Sequence, residues 1–144
     1  MTDEMALLVA DVYEAAGVLR KSGEAVAATE GQTQARWQLL SAVSETALTV
    51  AQTARRLGVA RQGVQRIAND LVHEGLAAFQ PNPHHRSSPL LALTPSGQRV
   101  LRKMTDRASE IHRVVAADIP PSEIAAARVL LHRLIDQMRR YQEG

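Results

Sequence analysis

The sequence predicts a mainly α fold with one short β-hairpin, and three observations carry that prediction. Apolar residues recur three and four apart over most of the chain, the period of helices that pack on one face. The period shortens only at residues 77–80 and 89–93, on either side of the turn-rich PNPHHRSSP. Just before that hairpin, LTVAQTARRLGVARQGVQRIANDLVHEGL (Leu48 to Leu76) reads as two helices with a sharp hinge between them.

The first helix is expected from about Asp3 to Arg20, with Leu8, Val12, Ala15, Ala16 and Leu19 on one stripe. KSGEAVAATEGQ follows, with two glycines and weak periodicity, and reads as a connection. A second helix spans about Thr33 to Val43, and Trp37, Leu40 and Val43 can enter the core together. Thr49 and Gln52 fit a capping box for the third helix, and Gly58 suits the left-handed residue just past its end. The fourth helix starts near Ala60 and buries Val64, Ile67, Ala68, Leu71 and Val72. At about 100° per residue, Gln62, Arg66, Asn69 and His73 lie opposite that face, and Gln65 lies on a flank. Gly75 is the expected stop. After the hairpin, Thr94 caps a long helix with Pro95 at its first position, running to about Ala117. Ile119-Pro120-Pro121 breaks it, and a last helix carries Ile124, Leu131, Leu134, Ile135 and Met138 on one stripe as far as about Tyr141.

Composition bounds the rest. A chain of 144 residues, 45% hydrophobic and 22% charged, is long enough for one domain with a core of its own. Only Tyr13, Trp37, Phe79 and Tyr141 are aromatic, so aliphatic side chains must fill that core. The lack of cysteine excludes disulfides, thiolate nucleophiles and thiol redox sensing. The opening MTDEM does not resemble a signal peptide, and no run of about 18 apolar residues occurs. A cytoplasmic protein with no membrane partner is expected.

The net charge is only +2, but it is unevenly spread. Between Val50 and Lys103 eight cations (Arg55, Arg56, Arg61, Arg66, Arg86, Arg99, Arg102 and Lys103) face two anions, Asp70 and Glu74. The chain up to Ala35 has an excess of acids, and the part from Met104 onward balances. A basic centre between non-basic ends points to a polyanion.

Double-stranded DNA fits the hinge pair best. The second helix of such a pair enters the major groove, with its N-terminal residues at the base edges. Arginine pairs bidentately with guanine and glutamine with adenine, which makes Arg61, Gln62, Gln65 and Arg66 the candidate reading residues. The hairpin then serves as a wing that carries His84, His85 and Arg86 toward the DNA backbone or minor groove. Asn69 and His73 lie deeper along the helix and read as ordinary surface residues.

Three segments, ARWQLL (Ala35 to Leu40), Leu48 to Leu76 as quoted above and LLALTPSGQRVL (Leu90 to Leu101), resemble the MarR family of bacterial regulators. The resemblance implies a winged helix-turn-helix with a small β-hairpin wing and N- and C-terminal dimerisation helices. It divides the chain into 1–32 (N-terminal dimerisation helix and connection), 33–103 (winged DNA-binding lobe) and 104–144 (C-terminal dimerisation helices). It further implies a homodimer on a pseudo-palindromic operator, and a repressor released by a small molecule that respaces the two reading helices. The ligand pocket it implies, between dimerisation helices and lobe, would have apolar walls here and suit a small apolar or aromatic effector. The family's wing usually holds an Asp-x-Arg signature. His85 and Ser87 stand at those positions, with Arg86 between them, pointing the opposite way if the segment is a strand.

Other chemistry has little footing. His84 and His85 are adjacent with no carboxylate nearby in sequence, and His112 and His132 sit on different helices. No Gly-rich phosphate loop and no nucleophile motif occurs, so no enzyme activity, metal or cofactor is expected. The competing reading is a winged helix used for protein contacts or for non-specific nucleic-acid binding. Base-edge chemistry at Gln62 and Arg66 discriminates the two.

Overall fold

The computed structural model describes residues 3–144. In chain order it holds α1 (Glu4–Ala28), α2 (Gln34–Ala42), β1 (Leu48–Thr49), α3 (Val50–Leu57), α4 (Arg61–His73), β2 (Ala77–Gln80), β3 (Leu90–Leu93), α5 (Pro95–Val115) and α6 (Pro121–Glu143). The chain divides into two compact units, one reaching to Ala108 and one running from Ser109 to Gly144. None of its helices is long and apolar enough to cross a membrane, among the described residues.

In the first unit, α2, α3 and α4 pack on one another, and α4 also packs on β2. The sheet has the order β1-β3-β2 and is antiparallel throughout, with Leu48 opposite Leu91 and Phe79 opposite Leu91 on the other side. Leu39, Leu40, Val64, Leu71, Leu91 and Met104 form its buried centre. Each such side chain contributes about 1.5–3 kcal/mol by leaving water. Thr53 is buried among them, and its hydroxyl donates to the Thr49 carbonyl at 2.8 Å, so no polar group is stranded there.

The first helix is longer than its sequence pattern suggests. α1 runs through Gly23 to Ala28, across the segment expected to be a connection. Packing overrides glycine's weak propensity here. Val26 and Ala27 are buried, and α2 comes so close that a Cβ on Gly23 would meet Gln34 Cγ at 2.9 Å. Gln34 N–H also donates to the Glu24 carboxylate. α2 in turn is covered on two sides, by α1 and by α3 and α4, so Leu39 is buried beside Leu40 and Val43. Trp37, expected in the core, is only half-buried.

The hinge follows its residues closely. The capping box is complete: Gln52 N–H donates to Thr49 Oγ1 at 3.1 Å, and Thr49 N–H donates to Gln52 Oε1 at 2.9 Å. Gly58 takes φ +68 past the end of α3, and Gly75 takes φ +77 past the end of α4. β1 has no counterpart in the sequence pattern, because two residues show no period.

The joint between hairpin and α5 is the tightest place in this unit. Thr94 Oγ1 donates to the Gly75 carbonyl at 2.6 Å and accepts from Gly97 N–H at 3.1 Å. Thr94 N–H donates to the Leu76 carbonyl at 3.2 Å. The start of α5 is thus fixed to the end of α4.

The second unit comprises the end of α5 and α6, separated by residues 116–120. Pro121 sits at the first position of α6, where its missing N–H costs nothing. α6 is 23 residues long and has no buried residue. Ile124, Leu131, Ile135 and Met138 are all exposed along it.

Candidate nucleic-acid interface

α4 presents a polar face because its other face is committed to the core. Val64, Ala68 and Leu71 are buried, which turns Arg61, Gln62, Gln65 and Arg66 outward, and all four are exposed. They occupy the first two turns. Among the described residues, Arg61, Gln62 and Arg66 have no side-chain hydrogen bond or ion pair. Arg66 does not pair even with Asp70, four residues on. Gln65 Nε2 does have a partner, Asn69 Oδ1 at 2.9 Å. Helical position alone makes Asn69 an ordinary surface residue, and this bond gives it a place beside the reading face.

The start of α4 is open. Ala60 is its N-cap and makes no side-chain cap bond, which costs about 1 kcal/mol relative to serine or aspartate. The N–H groups of the first turn therefore lack a side-chain partner, and the helix dipole favours an anion there. Gly63 has nothing within 4 Å of where a Cβ would stand.

The wing tip is an ordered double turn. Asn82 Oδ1 accepts from His84 N–H at 3.0 Å, and Asn82 Nδ2 donates to the Ser88 carbonyl at 2.9 Å. His85 N–H donates to the Asn82 carbonyl, and Ser88 N–H to the His85 carbonyl. His84, His85 and Arg86 are exposed on this tip. They lie in turns and not on a strand, so the alternation that would point Arg86 away from its neighbours does not apply. The strand signal ends at Gln80 and resumes at Leu90. Asn82 is the residue that sequence reasoning missed, and its place in PNP was the available signal.

Electrostatically the basic centre is tied to the earlier part of the chain by two ion pairs. Glu74, one of its two anions, forms an ion pair with Arg36 of α2. Lys103, one of its eight cations, in turn lies 4.0 Å from the Glu30 carboxylate. A separate open depression of about 470 Å³ lies on this unit, with Ser41, Gln98, Arg102 and Thr105 around Leu93 and Leu101.

A helix-turn-helix whose second helix turns arginines and glutamines outward, backed by a three-stranded sheet with an exposed hairpin, is a winged helix-turn-helix. This chain belongs to the MarR family, and it is a transcriptional regulator. The sequence profile of the MarR family matches residues 31–86. An uncharacterized protein of Mycobacterium tuberculosis, Rv2011c, is 61% identical over 135 residues, covering 94% of each chain. The transcriptional activatory protein BadR of Rhodopseudomonas palustris is 26% identical over 138 residues, covering 92% of this chain and 79% of its own. A MarR-family regulator from Rhodococcus sp. RHA1 has the same fold, with a TM-score of 0.82 at 16% identity over 93% of this chain and 96% of that one. The PcaV regulator of Streptomyces coelicolor, solved with its natural ligand, is 26% identical, with a TM-score of 0.66 over 84% of this chain and 89% of that one. The family consists of regulators and not enzymes.

Proposed function

We propose that the protein is a sequence-specific repressor that binds a pseudo-palindromic operator as a homodimer. The observation that carries this reading is the face of α4, where Arg61, Gln62, Gln65 and Arg66 stand exposed on the first two turns. These are the side chains that pair with guanine and adenine in the major groove. Arg86, His84 and His85 on the wing tip supply contacts to the flanking backbone. The unpartnered stripes on α1 and α6 supply the dimer seam, so that residues 1–32 and 104–144 dimerise and 33–103 reads DNA. Bound across a promoter, the dimer blocks it sterically. A small apolar or aromatic effector releases it; PcaV, which has a natural ligand, supports the existence of such an effector. BadR is named as an activator, so the sign of regulation is to be read from a promoter fusion.

The first experiment is a selection from random duplex DNA, with the recovered sites titrated against salt. A two-fold symmetric site with half-sites about one helical turn apart supports the proposal. Uniform and strongly salt-dependent binding supports instead a winged helix that holds nucleic acid without reading it. Two substitutions refine the assignment. Arg66→Ala is expected to cost about 1–3 kcal/mol of specific binding and to relax preference at one base pair per half-site. Arg86→Ala is expected to weaken all sequences alike and to flatten the salt slope by about one unit for each phosphate that Arg86 neutralises. An unchanged slope would remove Arg86 from the interface.

A further inference from the structure

The bond from Gln65 Nε2 to Asn69 Oδ1, at 2.9 Å, joins two exposed amides one turn apart on α4. In water such a pair adds little to a helix. Its importance is directional. Gln65 lies on the flank of α4, and Asn69, four residues on, lies about 40° further round toward the face that carries Gln62 and Arg66. The bond therefore draws the Gln65 amide toward that face.

It also has a sense, with the Gln65 Nε2 turned toward Asn69 Oδ1. With Nε2 donating to Asn69, Gln65 still offers a second Nε2 hydrogen and a free Oε1, side by side. That donor and acceptor match N7 and the N6 amino group of adenine. An untethered glutamine must lose its side-chain torsional freedom and choose between two amide orientations when it meets the base. Gln65 makes that choice beforehand.

We propose that Asn69 is a positioning residue, which holds the Gln65 amide in the orientation that reads adenine. Asn69 need not reach a base edge to act, which is why its depth along the helix does not exclude it. The proposal rests on α4 being the reading helix, and its test separates the two.

Base preference at every operator position is measured, by competition among single-base-pair variants, for the full-length protein and for Gln65→Ala, Asn69→Leu and Asn69→Asp. Gln65→Ala is expected to lose preference for one A·T pair per half-site, by about 5- to 100-fold. Asn69→Leu, which removes the acceptor at similar volume, is expected to weaken preference at that same pair and at no other. Asn69→Asp can only accept, so it keeps Gln65 the same way round. Its charge lowers affinity for every sequence, while preference at that pair persists. Thermal melting of each variant confirms folding at this exposed position. If Gln65→Ala relaxes the pair and Asn69→Leu does not, positioning by Asn69 is overturned. Loss of preference in both Asn69 variants overturns the acceptor role and makes Asn69 a direct contact. If Gln65→Ala changes no preference, reading by Gln65 itself has failed, and the role of Asn69 falls with it.

Discussion

Gly97→Ala is expected to destabilise the DNA-binding unit by about 3 kcal/mol or more, at and beyond the upper end of ordinary overpacking. A Cβ at this position would stand 1.9 Å from the Leu76 carbonyl oxygen and 2.9 Å from its carbon. The obstacle is backbone, so no side chain can rotate away. Nor can Leu76 retreat cheaply, because its carbonyl accepts from Thr94 N–H and its N–H donates to the Leu71 carbonyl at 2.9 Å. Gly97 N–H is itself held by Thr94 Oγ1, which donates on to Gly75. Relieving the clash means breaking the joint that fixes α5 to the end of α4. Urea unfolding should show a lower midpoint with an unchanged slope, and the melting temperature should fall by roughly 10 °C. Gly63→Ala, where no atom stands within 4 Å, is the control: it should gain about 0.5–1 kcal/mol from helix propensity. A Gly97→Ala protein as stable as the parent would mean that the close approach is not maintained in solution.

The same joint shows what the sequence makes legible. LTPSG can be read as a capped helix start, since threonine, proline and their spacing act locally. That glycine is required there by the Leu76 backbone depends on a residue twenty-one positions away, and no local pattern contains it. The helix-turn-helix was legible almost to the residue, because its capping box, its two left-handed glycines and its buried stripe all act within a few positions. The last two turns of α1 were not, because Gly23 is tolerated only through its crossing with α2. The outward residues of α4 follow from the helical period once the buried face is known. The bond between Gln65 and Asn69 does not, because helical spacing permits it without requiring it. At the wing, the turn residues announced a loop, but Asn82 as its organiser depends on a side chain reaching across to Ser88.

The largest functional effect is expected on α6. Among its apolar residues, Ile124, Ala127, Leu131, Leu134, Met138 and Tyr141 alternate three and four apart, the spacing of a helix seam that faces another helix. Yet α6 has no buried residue, with Leu131 at 40% and Met138 at 51% exposure. A helix is held mainly by packing of its apolar face and not by propensity, so a stripe of this length left in water is unfavourable. A second copy of the chain would cover it. Leu131→Glu places a carboxylate in the middle of that seam with a residue that favours helix, so that any effect comes from burial and not from propensity. The variant should sediment as a monomer at micromolar concentration, where the parent is expected to sediment as a dimer. Operator affinity should fall by about 10²- to 10⁴-fold, because each lobe then binds its half-site alone. Ala125→Glu adds the same charge on the opposite flank of α6 and should leave both properties unchanged. If Leu131→Glu remains dimeric, the α6 seam is not the subunit interface. If it is monomeric but binds the operator as tightly as the parent, then two-fold recognition is wrong and a single lobe carries the specificity.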